Sequence, residues 1–388
     1  MHYLDNAATT APFSAVVDTV AEVLAAHFAN PSSLYAPGME AEKVIETARS
    51  TLAKALGCAA KQVYFTASGT EANNIAIQGI ARARKNRGNH FVATGYEHPG
   101  VRKVLLALAE REGFEVTMVP PAETGEVDIA DILAEVRDDT ILVCAMQVNN
   151  ETGAVLDVES LARRVKEINP LVAVHVDAVQ GFCKLPLAAE KTQIDSIAVA
   201  GHKIHAPKGI GALYLRKGLA IQTPLLGGGQ ESGIRPGTEN TAYIAGFAKA
   251  VELMQTNAQC DAQTIHTLRN RLLQGLAGLP NLFINSPPQS YPGIVNISLP
   301  GIRSETMLHF LEQRGVYVSS GSACSKGQAS HTLTAMRLYA ERIDSSLRIS
   351  FDGQNTEEDI DALLLGLTDG IEAIARTSQK NSGRRPAR

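Results

Sequence analysis

Two charged residues of this sequence lie at or just after strand-like apolar segments, and together they could perform covalent chemistry on an aldehyde. Asp177 ends the segment VAVHVD, and Lys203 follows the segment SIAVA by three positions. A lysine amine forms a Schiff base with an aldehyde, and a carboxylate can keep a pyridine nitrogen protonated so that the ring accepts electrons. A structural salt bridge is the alternative interpretation of this pair, and spacing alone does not decide between the two.

The same pattern recurs at other predicted strand ends. Polar or small residues follow several apolar segments, and they are Gly69, Thr70, His98, Asn149, Gln180 and His202. The Gly69–Thr70 turn comes directly before a predicted helix, where backbone N–H groups and the helix dipole favour a phosphate. Each residue by itself fits an ordinary turn. Their shared position predicts one site at one edge of a sheet, and pyridoxal phosphate is a cofactor that such a site permits.

Cys324 lies in the segment SSGSACSKGQASH, residues 319–331, which is small, polar and without apolar periodicity. A thiol in such a loop is exposed, so it is either incidental or used for its reactivity. The loop alone favours an incidental cysteine. A nucleophilic role therefore needs support from elsewhere in the chain.

Strand-like runs alternate with helix-like segments from about residue 40 to residue 215. Such alternation predicts an α/β protein with a large, mostly parallel sheet and helices on both faces. Ligands of such sheets bind at the carboxyl ends of the strands. The polar residues named above are therefore expected to lie where a ligand would bind.

The pattern changes after a long helix that we predict over residues 241–279. Short strands and helices follow it and predict a smaller α+β domain. We expect residues 14–255 to form the large domain, and residues 1–13 and 256–376 to form the small domain that carries the cysteine loop. The polar residues 377–388 are expected to be a disordered tail.

The composition is that of an ordinary globular protein, with 45% hydrophobic and 20% charged residues. A net charge of -4 argues against a general binder of nucleic acid or of a membrane surface. We find no apolar run long enough to span a membrane and no signal peptide. The cysteines are scattered without CxxC spacing, which predicts neither a disulfide framework nor a metal site and favours a cytoplasmic location.

The segment AGHKIHAPKGIGALYLR (200–216) resembles the lysine signature of class V, fold-type I pyridoxal-phosphate enzymes. Further segments resemble the cysteine desulfurase family in order along the chain, and they are YLDNAATT, NPSS, TASGTEANN, EHPGV, MQVNNETGAV, HVDAVQ, GGGQESGIRPGTEN and SSGSAC. The resemblance runs from residue 3 to about residue 375. It implies a fold-type I transferase with a seven-stranded large sheet. It also implies conversion of L-cysteine to L-alanine, with the sulfur held as a persulfide on a loop cysteine.

The resemblance further implies roles for individual residues. Lys203 would be the Schiff-base lysine, His98 would stack on the ring and act as acid and base, and Cys324 would accept the sulfur. Arg348, assisted by Asn149, would bind the substrate carboxylate, a task that suits a bidentate guanidinium. The other cofactor contacts are expected from Asp177 at the pyridine nitrogen, Gln180 and Asn149 at the 3-oxygen, Thr70 and His202 at the phosphate, and Gly69, Ala200 and Gly201 beside them.

The partners are likewise implied by the resemblance. In the family a threonine of the neighbouring subunit completes the phosphate site, and the segment GIRPGTEN places it at Thr238, which implies a homodimer. The sulfur acceptor is expected to be a protein, either an iron–sulfur scaffold or a tRNA-thiolation enzyme. This chain departs from the family at Ala200, where a serine is usual, so one hydroxyl contact with the phosphate is absent.

Two alternatives share the predicted site. A selenocysteine lyase or a cysteine-sulfinate desulfinase would use the same cofactor residues, but a cysteine in a long loop favours desulfuration. A non-catalytic adaptor of the same fold would be expected to have lost Lys203 or Asp177, and both are present.

Overall fold

The computed structural model describes residues 1–320 and 329–382. Its strands are β1 (His2–Tyr3), β2 (Val63–Thr66), β3 (His90–Thr94), β4 (Glu115–Val119), β5 (Thr140–Met146), β6 (Ala173–Asp177), β7 (Ser196–Ala200), β8 (Gly211–Leu215), β9 (Phe283–Ile284), β10 (Ile294–Ser298), β11 (Val316–Tyr317), β12 (Ser319–Ser320) and β13 (Ser346–Ser350). Its helices are α1 (Ser14–Ala26), α2 (Ala36–Leu56), α3 (Gly69–Arg84), α4 (Pro99–Glu112), α5 (Ile129–Ala134), α6 (Val158–Ile168), α7 (Thr241–Leu276), α8 (Ser304–Glu312), α9 (His331–Ala335), α10 (Ala340–Asp344) and α11 (Glu357–Ser382).

A seven-stranded sheet with the order β2-β8-β7-β6-β5-β3-β4 forms the large part of the molecule. Its pairs from β7 to β4 are parallel, and β8 is antiparallel to both of its neighbours. Because two reversals cancel, β2 points in the same direction as β7. The carboxyl ends of β2, β3, β5, β6 and β7 therefore lie at one edge. The predicted fold class, a large and mostly parallel sheet with helices, is confirmed.

The central strands β5, β6 and β7 are buried over their whole lengths. Parallel strands that are covered on both faces read as continuous apolar runs rather than as alternating ones, as they do here. Helix α3 packs on the sheet and begins immediately after β2, so its N-terminus lies at the edge where the strands end.

A second, antiparallel sheet has the order β12-β13-β10-β9, and β1 pairs with β11 beside it. Helix α7 joins the two parts, since Phe247 belongs to the core of the large sheet and Leu268 to the core beside the small sheet. The helix passes residue 255 unbroken. We therefore keep the domain boundary at residue 255 as a proposal that the two separate apolar clusters support.

Three sequence-based expectations need correction. Strand β3 ends at Thr94, so His98 is not at a strand end but at the N-cap of α4, because Pro99 suits the first helical turn. Helix α2 begins at Ala36, slightly before residue 40, where the alternation of strands and helices was expected to begin. Helix α11 runs as far as Ser382, so residues 377–382 of the expected disordered tail are helical, and this stretch contains no Gly or Pro.

Leu268→Ala is expected to lower the free energy of unfolding by about 2–5 kcal/mol, because it leaves a cavity where α7 packs against the small sheet. Thr267→Ala is the control on the same helix, since its exposed side chain bonds only to the Gln263 carbonyl, and it should stay within about 0.5 kcal/mol of wild type. Denaturant titration measures both. Equal losses from the two variants would contradict the packing described for α7.

Candidate active site

Lys203 lies in a single tight turn, residues 201–203, that follows β7. The turn requires Gly201, because a Cβ there would come within 2.9 Å of Ala206 and of Ile210. The Lys203 Nζ donates hydrogen bonds to the carbonyl oxygens of Ala7 at 2.6 Å and Ala8 at 2.7 Å. The N-terminal segment that contains Ala7 and Ala8 thus forms one wall of the site, which we call the N-terminal wall.

Asp177 is the last residue of β6 and is buried. Its Oδ1 accepts a hydrogen bond from the backbone N–H of Val179 at 3.0 Å, and its Oδ2 accepts one from the Asn73 side chain at 2.8 Å. The carboxylate is therefore fixed by two donors, one of which comes from helix α3.

His98 caps the N-terminus of α4, with its Nδ1 accepting a hydrogen bond from the Gly100 N–H at 3.0 Å. Burial lowers the pKa of His98; the negative charge of Asp177 opposes this shift, and the positive charge of Lys203 adds to it. The imidazole is therefore neutral at neutral pH, and because Nδ1 is an acceptor its proton is on Nε2. His98 lies close to Asp177, because a Cβ on Gly100 would be 3.1 Å from the His98 Nδ1 and 3.6 Å from the Asn73 Nδ2 that donates to Asp177.

A cradle of small residues lies beside this group, at the N-termini of α3 and α4. A Cβ on Gly100 would meet the His98 Nδ1 at 3.1 Å and the Thr70 Oγ1 at 3.3 Å, and one on Gly69 would meet Val179 at 2.5 Å. The N-terminus of the 16-residue helix α3 points its N–H groups here, which favours an anion. Ala200 lies on the other side of Gly69.

His202 stands beside the N-terminal wall, where its Nδ1 is 3.4 Å from the Thr9 Oγ1. Burial lowers the pKa of His202 to about 4, and the positive charge of Lys203 adds to the shift. The ring is therefore neutral at neutral pH, so it would contact an anion as a hydrogen-bonding group rather than as a charge.

The two amides predicted to contact a cofactor differ in their surroundings. The Gln180 Nε2 donates to the Ala7 carbonyl at 2.8 Å, while its buried Oε1 accepts no hydrogen bond from the described residues. The Asn149 side chain is engaged in its own turn, where its Oδ1 accepts from the N–H groups of Glu151 and Thr152. Gln180 can therefore accept a further bond, whereas Asn149 shapes the loop after β5.

Arg348 reaches the site from β13 of the small sheet. Its Nη2 is 2.8 Å from the Asp5 Oδ1, and its Nη1 donates to the Asn150 carbonyl at 2.9 Å. The buried Arg348 Nε has no acceptor within the part of the chain that the structure describes. The guanidinium is thus held in place while its buried Nε–H lacks an acceptor among the described residues.

Two predicted residues are not brought to this group. Thr238 is exposed in the loop before α7, and none of the described hydrogen bonds links it to the residues above. Cys324 lies outside the described residues. The chain that follows its loop is fixed beside the site, because the His331 Nε2 is 2.8 Å from the Glu97 carbonyl and Thr332 donates to Glu151 at 2.9 Å.

Several residues that shape the site were not predicted. They are Asp5, Ala7, Asn73 and His175, and all four lie in the motifs quoted above. Buried polar residues next to a predicted strand end were the available signal, since such groups need partners. Which residues serve as those partners could not be predicted from local sequence.

The thiols of the described cysteines differ in reactivity. Burial raises the pKa of Cys58 to about 12 and that of Cys183 to about 12, and it raises the pKa of Cys144 far above its usual range. Cys260 is exposed on α7. Three of these thiols are therefore poor nucleophiles near neutral pH.

Residues 1–320 and 329–382 contain no group of three or more His, Cys, Asp or Glu side chains that could hold a metal ion.

Comparisons with known proteins agree with this arrangement. Residues 2–363 match the family described as aminotransferase class-V. The chain is 39% identical over 368 residues to the cysteine desulfurase IscS of Clostridium botulinum, covering 93% of this chain and 92% of that protein. A solved NifS-like protein is 34% identical with a TM-score of 0.89, covering 96% of this chain and 99% of that one. The solved SspA in complex with cysteine is 29% identical with a TM-score of 0.81, covering 92% and 100% of the two chains.

The chain belongs to the class-V aminotransferase family, whose members use pyridoxal 5′-phosphate. Within that family it is a member of the cysteine desulfurases.

The residues present fit the cofactor. A lysine amine, a fixed carboxylate and a neutral imidazole lie together, a glycine cradle adjoins them at a helix N-terminus, and the buried Gln180 Oε1 lacks a donor among the described groups.

Lys203→Ala is expected to abolish turnover and the visible absorbance of the lysine-bound cofactor, because its amine is the one that stands beside Asp177 and His98. Lys208→Ala is the matched control, since Lys208 is exposed in the same segment, and it should keep both properties. Absorbance spectra and borohydride trapping with peptide mapping measure the outcome. Trapping at Lys208 would contradict the assignment.

Arg348→Ala is expected to raise the KM for cysteine, because a charge-assisted pair with a carboxylate contributes about 1.5–3 kcal/mol. Arg269→Ala is the control, since Arg269 is also buried but contacts only Ser290 and backbone carbonyls. It should lower stability and leave the KM unchanged. Steady-state kinetics decide, and an unchanged KM in Arg348→Ala would show that the substrate carboxylate is bound elsewhere.

Proposed function

We propose that this protein is a cysteine desulfurase that converts L-cysteine to L-alanine and carries the released sulfur as a persulfide on Cys324. The observation that carries the proposal is the grouping of Lys203, Asp177 and His98 at one edge of the sheet. Asp177 ends β6, Lys203 follows the neighbouring strand β7, and His98 lies close to Asn73, which donates to Asp177. The relative IscS and the cysteine-bound SspA, which are similar over nearly the whole chain, support L-cysteine as the substrate.

The cofactor would be held by residues of both helices and strands. Lys203 would bind its aldehyde, Asp177 its pyridine nitrogen and Gln180 its 3-oxygen. The phosphate would lie in the cradle at the start of α3, with contacts from Gly69, Thr70, Gly201 and His202 and only a methyl group from Ala200. When bound, pyridoxal phosphate supplies an electron sink for charge that develops on the substrate α-carbon.

The protein's own groups would then bind and convert the substrate. Arg348 binds the carboxylate of L-cysteine, with the loop of Asn149 supporting that guanidinium through the Asn150 carbonyl. His98 would stack on the cofactor and would move a proton at its Nε2, since its Nδ1 already accepts from Gly100. Both the neutral imidazole and the fixed guanidinium are present before substrate binds.

Sulfur transfer requires a thiolate. The Cys324 sulfur attacks the substrate sulfur, so that an S–S bond forms while the substrate Cβ–S bond breaks. The electron pair of the broken bond stays on the carbon skeleton, which takes up a proton and leaves as L-alanine. The raised pKa values of Cys58, Cys144 and Cys183 make those thiols unsuitable for this step.

A homodimer is part of the proposal. In one chain Thr238 is exposed, which is expected of a residue that completes the phosphate site of another subunit. Large apolar side chains are also exposed on this chain, with Phe28 at 81%, Leu34 at 95% and Leu226 at 96%. Exposed apolar groups of this size favour a covering partner.

The persulfide would pass to a protein acceptor, an iron–sulfur scaffold or a tRNA-thiolation enzyme. We propose a cytoplasmic location on the basis of the scattered, unpaired cysteines, and no direct binding of nucleic acid or membrane. None of the helices in the described residues is long and apolar enough to cross a membrane. Selenocysteine lyase and cysteine-sulfinate desulfinase activities are the competing proposals for the same site, and neither needs Cys324.

Cys324→Ser is expected to bind cofactor and cysteine normally but to release almost no sulfide or alanine, because a hydroxyl cannot form a persulfide. Cys260→Ser is the matched control, since Cys260 is also an exposed cysteine, and it should keep wild-type turnover. Mass spectrometry after a brief reaction with cysteine should find one added sulfur atom on the peptide that contains Cys324. Wild-type turnover by Cys324→Ser would favour one of the competing activities.

A further inference from the structure

A continuous chain of hydrogen bonds leads through the protein interior to the Asp177 carboxylate. The Ser196 Oγ is 2.8 Å from the His175 Nδ1, the His175 Nε2 is 2.9 Å from the Asn73 Oδ1, and the Asn73 Nδ2 is 2.8 Å from the Asp177 Oδ2. Each of the four side chains is at most 3% exposed. The chain connects β7, β6 and α3.

The chemistry of the end residue fixes the position of every proton in the chain. A carboxylate can only accept, so Asn73 must turn its NH₂ group toward Asp177 and its oxygen toward His175. His175 must then carry its proton on Nε2 and accept at Nδ1, and Ser196 must donate its hydroxyl proton. All three bonds therefore donate in one direction, toward the carboxylate, and bonds aligned in this way strengthen one another.

The imidazole in the middle of the chain stays neutral. Burial lowers the pKa of His175 to about 3, because no water remains to solvate an imidazolium. A neutral ring has one donor and one acceptor, which is what this position needs. The donor order therefore does not change across the neutral pH range.

The positions of the four residues on β6, β7 and α3 bring their side chains together. His175 and Asp177 are two residues apart on β6 and so lie on the same face of the sheet. Ser196 is paired directly with His175 in the register of β6 and β7. Asn73 comes from the first turns of α3, the helix whose N-terminus forms the phosphate cradle.

We propose that Asn73, His175 and Ser196 are positioning residues that orient the Asp177 carboxylate toward the pyridine nitrogen of the cofactor and support its charge. The proposal rests on the function proposed above for Asp177. Because α3 supplies both Asn73 and the cradle at Gly69, the same helix sets the distance between the two ends of the bound cofactor.

The test compares two buried histidines of the same sheet. His90 also lies between two side chains, at 2.8 Å from the Thr140 Oγ1 and 3.0 Å from the Thr117 Oγ1, but it has no connection to Asp177 among the described contacts. His175→Leu should raise the dissociation constant of pyridoxal phosphate from the holoenzyme about 10- to 100-fold, the size of effect seen when a metal ligand loses the partner behind it. It should lower kcat and leave the KM for cysteine unchanged.

His90→Leu should lower the melting temperature as His175→Leu does, yet leave the dissociation constant of pyridoxal phosphate at the wild-type value. His175→Gln should recover most of the affinity, because its amide nitrogen can donate to Asn73 in place of Nε2. Wild-type affinity in His175→Leu, or an equal loss of affinity in His90→Leu, would overturn the proposal.

A double-mutant cycle separates this proposal from the function proposed for Asp177. In the Asp177→Ala background, His175→Leu should cause no further loss of cofactor affinity, and a full additional loss would overturn the positioning role. If Asp177→Ala alone leaves affinity and kcat unchanged, the proposed function of Asp177 fails instead. Should His175→Leu not fold, Ser196→Ala provides the same test, since it must weaken cofactor binding only when Asp177 is present.

Discussion

The structure around the site depends on one constraint, the burial of the Asp177 carboxylate at the end of β6. A carboxylate removed from water is costly unless hydrogen bonds replace its hydration. Here the replacement comes from the Val179 N–H and from the NH₂ group of Asn73, whose oxygen is turned away from the carboxylate and toward His175. Two strands and one helix must therefore adopt a single relative arrangement.

The N-terminal segment extends this arrangement to the small sheet. The Ala7 carbonyl accepts from both Lys203 and Gln180, while two residues earlier the Asp5 carboxylate pairs with Arg348. A short stretch of backbone thus contacts both the lysine proposed to bind the cofactor and the arginine proposed to bind the substrate. These two residues come from different sheets, so their separation depends on this segment as well as on α7.

The reactivity of the cysteine thiols and the contacts of the chain after residue 328 both bear on sulfur transfer. Burial raises the pKa values of Cys58, Cys144 and Cys183 too far for nucleophilic chemistry near neutral pH, and Cys324 is the cysteine proposed for sulfur transfer. Beyond that loop, His331 and Thr332 are tied to the Glu97 carbonyl and to Glu151. Glu97 precedes His98 and Glu151 lies in the loop after β5, so His331 and Thr332 lie beside the walls of the site.

The sequence by itself determined the main elements and the residue types of the site. Apolar runs of strand length alternating with helical segments can only form a covered, mostly parallel sheet, and its strand ends must meet at one edge. Asp177 and Lys203 were recognisable because they follow such runs. These features are local, since periodicity along the chain reports burial directly.

Tertiary structure alone decided which partners these residues have. It placed His98 at a helix N-cap, engaged Asn149 in its own turn and paired Arg348 with Asp5. Such contacts join residues that are distant in sequence, and Asp5 and Arg348 are 343 positions apart. A hydrogen bond needs its two atoms within a fraction of an ångström of an optimal distance, and only the packing of complete elements sets that distance.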